Sequence, residues 1–187
     1  MKSLALAVLL AALALPASAQ SDLAVFGEAG YGGSGCPDGT ARIVAAFDSS
    51  SIALFPDAYS VGDNGRSLDR KTCAIAIPVS VPDGMQVAIR GIAFLGTAIL
   101  PAGLDATLSA EAFTAGDSGE VTELPLTGPS TGPYFRFLTI PEDKLVWSGC
   151  GEDVNLRLNT SLRAKGNESA SVTLDAINIF RVATKAC

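Results

Sequence analysis

From Ala41 onward the chain alternates apolar and polar residues with a period of two, and its segments end in Gly, Pro, Asp and Asn. That is the punctuation of strands and turns, because successive side chains on a strand point to opposite faces of a sheet. Ala41 to Phe47 and Ser51 to Phe55 are predicted as two strands joined by a turn at Asp48-Ser49-Ser50. The next run places Cys73, Ile75, Ile77, Val79 and Val81 on one face. Pro78 interrupts it and lacks an N–H for the ladder, so this strand is expected at an edge or bulged. After a turn at Pro82-Asp83-Gly84, Met85 to Leu95 returns as a long, almost wholly apolar strand.

Leu104 to Ala115 alternates again, with Leu104, Ala106, Leu108, Ala110 and Ala112 on one side. Shorter strands are predicted at Val121 to Leu126, Tyr134 to Ile140 and Lys144 to Trp147. Asn155 to Leu162 sets Leu156, Leu158, Thr160 and Leu162 against Asn155, Arg157, Asn159 and Ser161, the pattern of an antiparallel strand with one solvated face. Val172 to Val182 is the last predicted strand. No segment has a convincing helical period. Some eight to ten short, evenly spaced strands predict an all-β fold, an antiparallel β-sandwich of immunoglobulin-like or jelly-roll type.

The first residues have a different character. Lys2, the apolar run Leu4 to Leu15, and Pro16 followed by Ala17-Ser18-Ala19 form a secretory leader with cleavage expected after Ala19. The run is shorter than the roughly 20 apolar residues that span a bilayer, so no membrane anchor is expected once the leader is cleaved. The domain reading is therefore a signal peptide over 1–19, a flexible glycine-containing lead-in over 20–35 and a single β domain over 36–187. The expected location is outside the cytoplasm, extracellular or periplasmic.

All four cysteines, Cys36, Cys73, Cys150 and Cys187, fall in the exported part. An even number in an oxidising compartment reads as two disulfides, with three pairings open. Cys36–Cys73 with Cys150–Cys187 is the preferred pairing, since both bridges would close loops of similar length and the second would pin the last residue. Metal binding is not expected, because there are no Cys-x-x-Cys pairs and no histidine partners.

Composition narrows the chemistry further. The chain has 13 basic and 19 acidic side chains and no histidine. An acidic chain without a basic run lacks the footprint of a nucleic-acid binder, and anionic membranes should repel it. Without imidazole, Ser-His-Asp and Cys-His catalytic units and His-ligated zinc sites cannot be assembled. Ser67 with Lys71 and Ser161 with Lys165 are four apart, not at Ser-x-x-Lys spacing. No Gly-rich phosphate loop is present, and no cofactor is expected.

What remains is carboxylate chemistry or binding. Asp48, Asp57, Asp105, Glu111, Asp153 and Asp175 are candidate acids for a polysaccharide hydrolase, with Glu111 and Asp175 the more interesting because each sits within a strand-like stretch. Asp63-Asn64-Gly65 with Asp69, and Asp117-Ser118-Gly119-Glu120, are oxygen-rich loops that read as turns rather than calcium sites. Tyr31, Tyr59, Tyr134 and Trp147 are candidates to stack on sugar rings. Of these, Tyr31 and Tyr134 are expected to be exposed, and Trp147 to pack against a disulfide in the core. Asn159-Thr160-Ser161 and Asn167-Glu168-Ser169 match glycosylation acceptors, which matter only in a eukaryotic host.

Several short motifs mark the chain. Gly33-Ser34-Gly35-Cys36-Pro37-x-Gly39-Thr40, Phe55-x-x-x-Tyr59, Arg70-Lys71-x-Cys73, Val81-Pro82-x-Gly84, Ser148-x-Cys150-Gly151 and Asn155-Leu156-Arg157-Leu158 span most of the exported chain. In these the chain resembles a family of small secreted four-cysteine proteins of bacteria and fungi catalogued as a domain of unknown function. The resemblance implies a secreted, disulfide-bonded β domain and carries no catalytic or binding residue. The fungal members have more aromatic central strands than the Ala- and Ile-rich ones here. The functional expectation is a non-catalytic domain whose partner is a surface glycan or an extracellular protein. A carboxylate-dependent hydrolase and a structural or inhibitory protein are the alternatives.

Overall fold

Thirteen strands and one 3-10 turn make up the computed structural model, which describes residues 24–62, 66–165 and 170–187. The expected leader, Asp63-Asn64-Gly65 and Asn167-Glu168-Ser169 lie outside the described residues. The strands are β1 (Val25–Phe26), β2 (Gly30–Gly32), β3 (Ala41–Ala45), β4 (Ile52–Pro56), β5 (Ser60–Val61), β6 (Asp69–Ser80) and β7 (Met85–Leu100). They continue as β8 (Asp105–Thr114), β9 (Thr122–Thr127), β10 (Ser130–Thr139), β11 (Val154–Ala164), β12 (Ser171–Thr173) and β13 (Ala176–Ala186). Every pairing among them is antiparallel.

Two sheets result. The first runs β1-β6-β11-β8-β9 with β2 also on β6, and the second runs β3-β4-β13-β7-β12-β5 with β10 on the far side of β7. Reduced to the principal strands, the orders are β6-β11-β8-β9 and β4-β13-β7-β10. Along these eight principal strands the chain crosses between the sheets at every step except β8 to β9, and late strands insert between early ones. This is the jelly-roll arrangement of two nested Greek keys, so of the two sandwich types expected the jelly roll is the one formed.

The alternation seen in the sequence decides which faces meet. Cys73, Ile75, Ile77 and Val79 of β6, Leu156, Leu158, Thr160 and Leu162 of β11, and Ala106, Leu108, Ala110 and Ala112 of β8 are all buried. They pack against Ile92, Phe94, Ala98 and Leu100 of β7 and Ile177 and Ile179 of β13 in one core. Tyr59, 2% exposed, ties the layers together. The Thr160 hydroxyl donates to the Cys73 carbonyl at 3.0 Å, which leaves its oxygen to accept from the Tyr59 hydroxyl, also at 3.0 Å.

Burial pushes the Tyr59 phenol up to about 12, because the phenolate would lose its hydration. The unfolded phenol titrates near 10, so the contribution from Tyr59 is whole below pH 10 and is lost as pH rises from there through the folded value. The loss is expected to reach about 2 kcal/mol by pH 12. Urea unfolding measured from pH 9 to 11.5 should show a fall in stability that is shallower in Tyr59→Phe; equal slopes would contradict it.

Both disulfides take the preferred pairing, Cys36–Cys73 and Cys150–Cys187, each with a sequence separation of 37. Within the expected lead-in, β1 and β2 pair with β6 along one edge, and three further expectations are corrected. The edge pairing explains Pro78, whose carbonyl accepts from Gly27 N–H at 2.8 Å in the gap between β1 and β2. A residue's N–H and C=O point to the same neighbouring strand, so the missing donor of Pro78 falls where that neighbour is interrupted.

Lys144 to Trp147 is not a strand. Glu142–Lys144 forms a 3-10 turn, and the following segment leaves the ladder until Ser148 binds Val87 through N–H to carbonyl at 2.9 Å and through its Oγ, which accepts from Val87 N–H at 3.0 Å. Val172 to Val182 divides into β12 and β13 at Leu174 and Asp175, whose N–H groups turn to Tyr59 and Leu95 carbonyls. The strand count exceeds the expected range because β1, β2, β5 and β12 are only two or three residues long.

Candidate functional site

If one face of β6, β11 and β8 is core, the other is solvent, and register sets which side chains stand together there. The pairing gives four rows: Arg70–Arg163–Thr107, Thr72–Ser161–Ser109, Ala74–Asn159–Glu111 and Ala76–Arg157–Phe113. A groove of about 350 Å3 lies on this face, lined among others by Arg70, Thr72, Ser109, Glu111, Asn159 and Ser161. A second hollow of about 310 Å3 adjoins it, shares Gly32 and Ala74, and ends at Arg157.

The groove is deep where side chains are small. Gly30 and Gly32 of β2 and Ala74 and Ala76 of β6 form its floor on one side, and a Cβ added at either glycine would meet nothing within 4 Å. Its polar groups are held by one another. Arg70 Nε donates to Ser161 Oγ at 2.8 Å. Glu111 accepts from Asn159 Nδ2 at 3.2 Å and from Gly119 N–H at 3.3 Å. The carboxylate is thus oriented while its remaining lone pairs stay available, and Arg70 keeps its terminal N–H groups. Such a surface can exchange hydrogen bonds with a hydroxyl-rich ligand without first reorganising.

Of the tyrosines expected to stack on ligand, Tyr31 is half-buried and among the residues lining the second hollow, whereas Tyr134 is buried. Tyr31 pairs with Ile75 and so points to the core side, where its hydroxyl donates to the Ala41 carbonyl of the second sheet at 2.7 Å. Tyr134 is 9% exposed, contrary to expectation. It stands opposite Gly96, lies where a Cβ on that glycine would be, and donates to the Thr173 carbonyl at 2.7 Å. Tyr59 is buried. Trp147 is corrected in the opposite direction: it is half-buried outside the core, with Lys185 Nζ 4.2 Å above its ring.

Of the six candidate acids, Glu111 alone lines the groove. Asp175 is exposed on the second sheet and cannot face it. Asp153 accepts from Ser80 Oγ and Val81 N–H. Asp48 accepts from Ser50 N–H in its turn, and the bonds from Ser50 hold its carboxyl below the usual range. Asp57 and Asp105 are exposed, at the end of β4 and the start of β8. The second oxygen-rich loop is self-contained, with Thr114 Oγ1 donating to Asp117 and Lys144 paired with Glu120 at 3.1 Å. Among the described residues no cluster of three or more potential metal ligands occurs. Asn159 sits in mid-strand inside the groove rather than on a loop.

A second feature escaped the sequence reading. Phe135 and Phe137 of β10 and Phe180 of β13 form an exposed ridge on the outer face of the second sheet, with edge-to-face contacts at 4.1 and 5.9 Å between ring centres. Alternation separates Phe135 and Phe137 from Tyr134 and Leu138 but does not say which pair faces out.

The scaffold and its motifs now have relatives to stand beside. The chain belongs to a family described as a domain of unknown function (DUF4360), whose model matches residues 25–187. An uncharacterized secreted protein of Arthroderma benhamiae is 29% identical over 137 residues, which is 71% of this chain and 56% of that protein. The chain thus spans little more than half the length of that relative. Two solved structures are similar to the chain at a low level. One is a carbohydrate-binding module described for specific mannan recognition (TM-score 0.40, 10% identity, 88% of this chain and 99% of that one). The other is a module in complex with beta-1,4-galactotriose (TM-score 0.30, 11% identity, 85% and 88%). At such scores the likeness says nothing about ligand.

Proposed function

We propose that this chain is an exported, non-catalytic recognition domain that binds a glycan along the groove on the outer face of the first sheet. One observation carries the reading: three adjacent strands present Thr72, Ser161, Ser109, Asn159 and Glu111 in register over a floor of glycine and alanine. Hydroxyls, an amide and a carboxylate at strand spacing match the alternating donors and acceptors of a sugar chain. Export is supported by the leader pattern, by two disulfides and by the secreted relative. A hydrolase would need a second acid across the groove from Glu111, and none of the lining residues supplies one.

The Phe135–Phe137–Phe180 ridge favours a second reading, in which an extracellular protein docks on the opposite sheet. Affinity electrophoresis of the mature protein through gels containing soluble polysaccharides separates the two. Glycan retardation is expected, reduced about tenfold by Glu111→Ala or Asn159→Ala, each of which removes a hydrogen-bonding group from the ligand's path. Phe137→Ala should leave it unchanged. Retardation lost in Phe137→Ala and kept in Glu111→Ala would move the site to the other sheet.

A further inference from the structure

Arginines gather on the groove face of a chain with a formal net charge of −6. The face carries Arg70, Arg157 and Arg163 beside Glu111, with Asp105 and Glu123 on its β8–β9 side, and none of the three arginines pairs with a carboxylate among the described residues. Arg70 and Arg163 are direct cross-strand partners. Side-chain roots at such positions lie about 4.5–5.5 Å apart, and like charges opposed there destabilise a sheet. Arg70 Nε is engaged by Ser161, and that bond holds its guanidinium along the groove. Arg157 closes the other end, six residues from Arg163 on β11, or roughly 20 Å along the strand. Glu111 and Asn159 lie between.

We propose that the ligand is an acidic polysaccharide whose carboxylates or sulfates are gripped by Arg70 with Arg163 at one end and by Arg157 at the other. The inference rests on the glycan reading and adds its chemical class. A planar anionic group between Arg70 and Arg163 would relieve their repulsion, and guanidinium forks match such groups in a bidentate way. Glu111 repels a charge at the centre, so the middle of the groove takes uncharged hydroxyls. The ligand must therefore carry its charges spaced along the chain. The net negative charge of the chain, with Asp105 and Glu123 on the β8–β9 side of this face, disfavours generic polyanions, so attraction is confined to the Arg70–Arg163 pair and Arg157.

The test uses mature protein and matched polymers: polygalacturonate against its fully methyl-esterified form, and dextran sulfate against dextran. Binding is measured by calorimetry at low salt and in 0.5 M sodium chloride. Preference for either charged member by tenfold or more is expected, and the favoured pair tells carboxylate from sulfate. Arg163→Ala and Arg157→Ala should each weaken it about tenfold and flatten its salt dependence. Gly32→Ile should block binding with an unchanged melting temperature, because its side chain enters open groove at a position without left-handed backbone.

Equal affinity for charged and neutral members would overturn this inference and leave the glycan site standing. Binding to none of the four, or to glycan with all three variants unaffected, would sink the groove itself. Single-stranded DNA bound as tightly as the charged polymers would also overturn it, as attraction to any polyanion.

Discussion

Replacing Cys36 and Cys73 together by alanine is expected to lower the unfolding free energy by about 5 kcal/mol. Releasing a loop of this separation contributes about 4 kcal/mol through the freedom regained by the unfolded chain. The remainder comes from the folded state: Cys36 is 0% and Cys73 1% exposed, so the lost sulfurs leave small voids beside Tyr59 and β11. A loss of that size is comparable with the whole stability of an ordinary domain. The other bridge is an internal control. Cys150–Cys187 has the same separation, but both its residues are exposed and it holds the chain end, where Cys187 N–H also bonds the Gly84 carbonyl at 2.9 Å. Its double alanine variant should lose about 3 kcal/mol, since the end of β13 can loosen without opening the core. Guanidinium unfolding of the three proteins gives the order directly; a larger loss at Cys150/Cys187 would contradict the account.

Phe94→Ala is the second large effect, with an expected cost of about 4 kcal/mol. Phe94 is fully buried on β7, which is paired on both sides, with Ile177 of β13 and Arg136 of β10 as its register partners. Neighbours held by two ladders cannot collapse into the space left by the ring, so most of the cavity persists. Phe137→Ala removes the same side chain from a position 58% exposed, where only edge contacts with Phe135 and Phe180 are lost, and should cost about 1 kcal/mol. Urea midpoints at constant slope measure both, and similar losses at the two positions would show that the core is not where the burial places it.

Much of the fold was legible because period-two alternation is a local property. Cys73, Ile75, Ile77, Val79 and the leucines of β11 face the core as their spacing predicts. The family motifs carried the same message, since their cysteine contexts mark the bridge positions. The candidate site was much less legible. Arg157, Asn159 and Ser161 were recognised as a solvated face, but Arg70 and Glu111 lie on strands distant in sequence, and no local pattern says that β6, β11 and β8 are neighbours. Tyr134 shows the same limit: its burial depends on Gly96 and Thr173, which enter its surroundings only through β7 and the β12 segment.

By itself, then, the sequence determined an all-β, disulfide-linked domain without imidazole chemistry, and which residues of each strand share a face. These follow from composition and from a geometry that repeats every two residues. Tertiary structure alone decided the jelly-roll order, the return of the lead-in to the edge of β6, and the meeting of Arg70 with Arg163 and of Asn159 with Glu111. Strand order and register arise from long-range pairing across the closed sandwich, where the free energy belongs to the whole core rather than to any one segment.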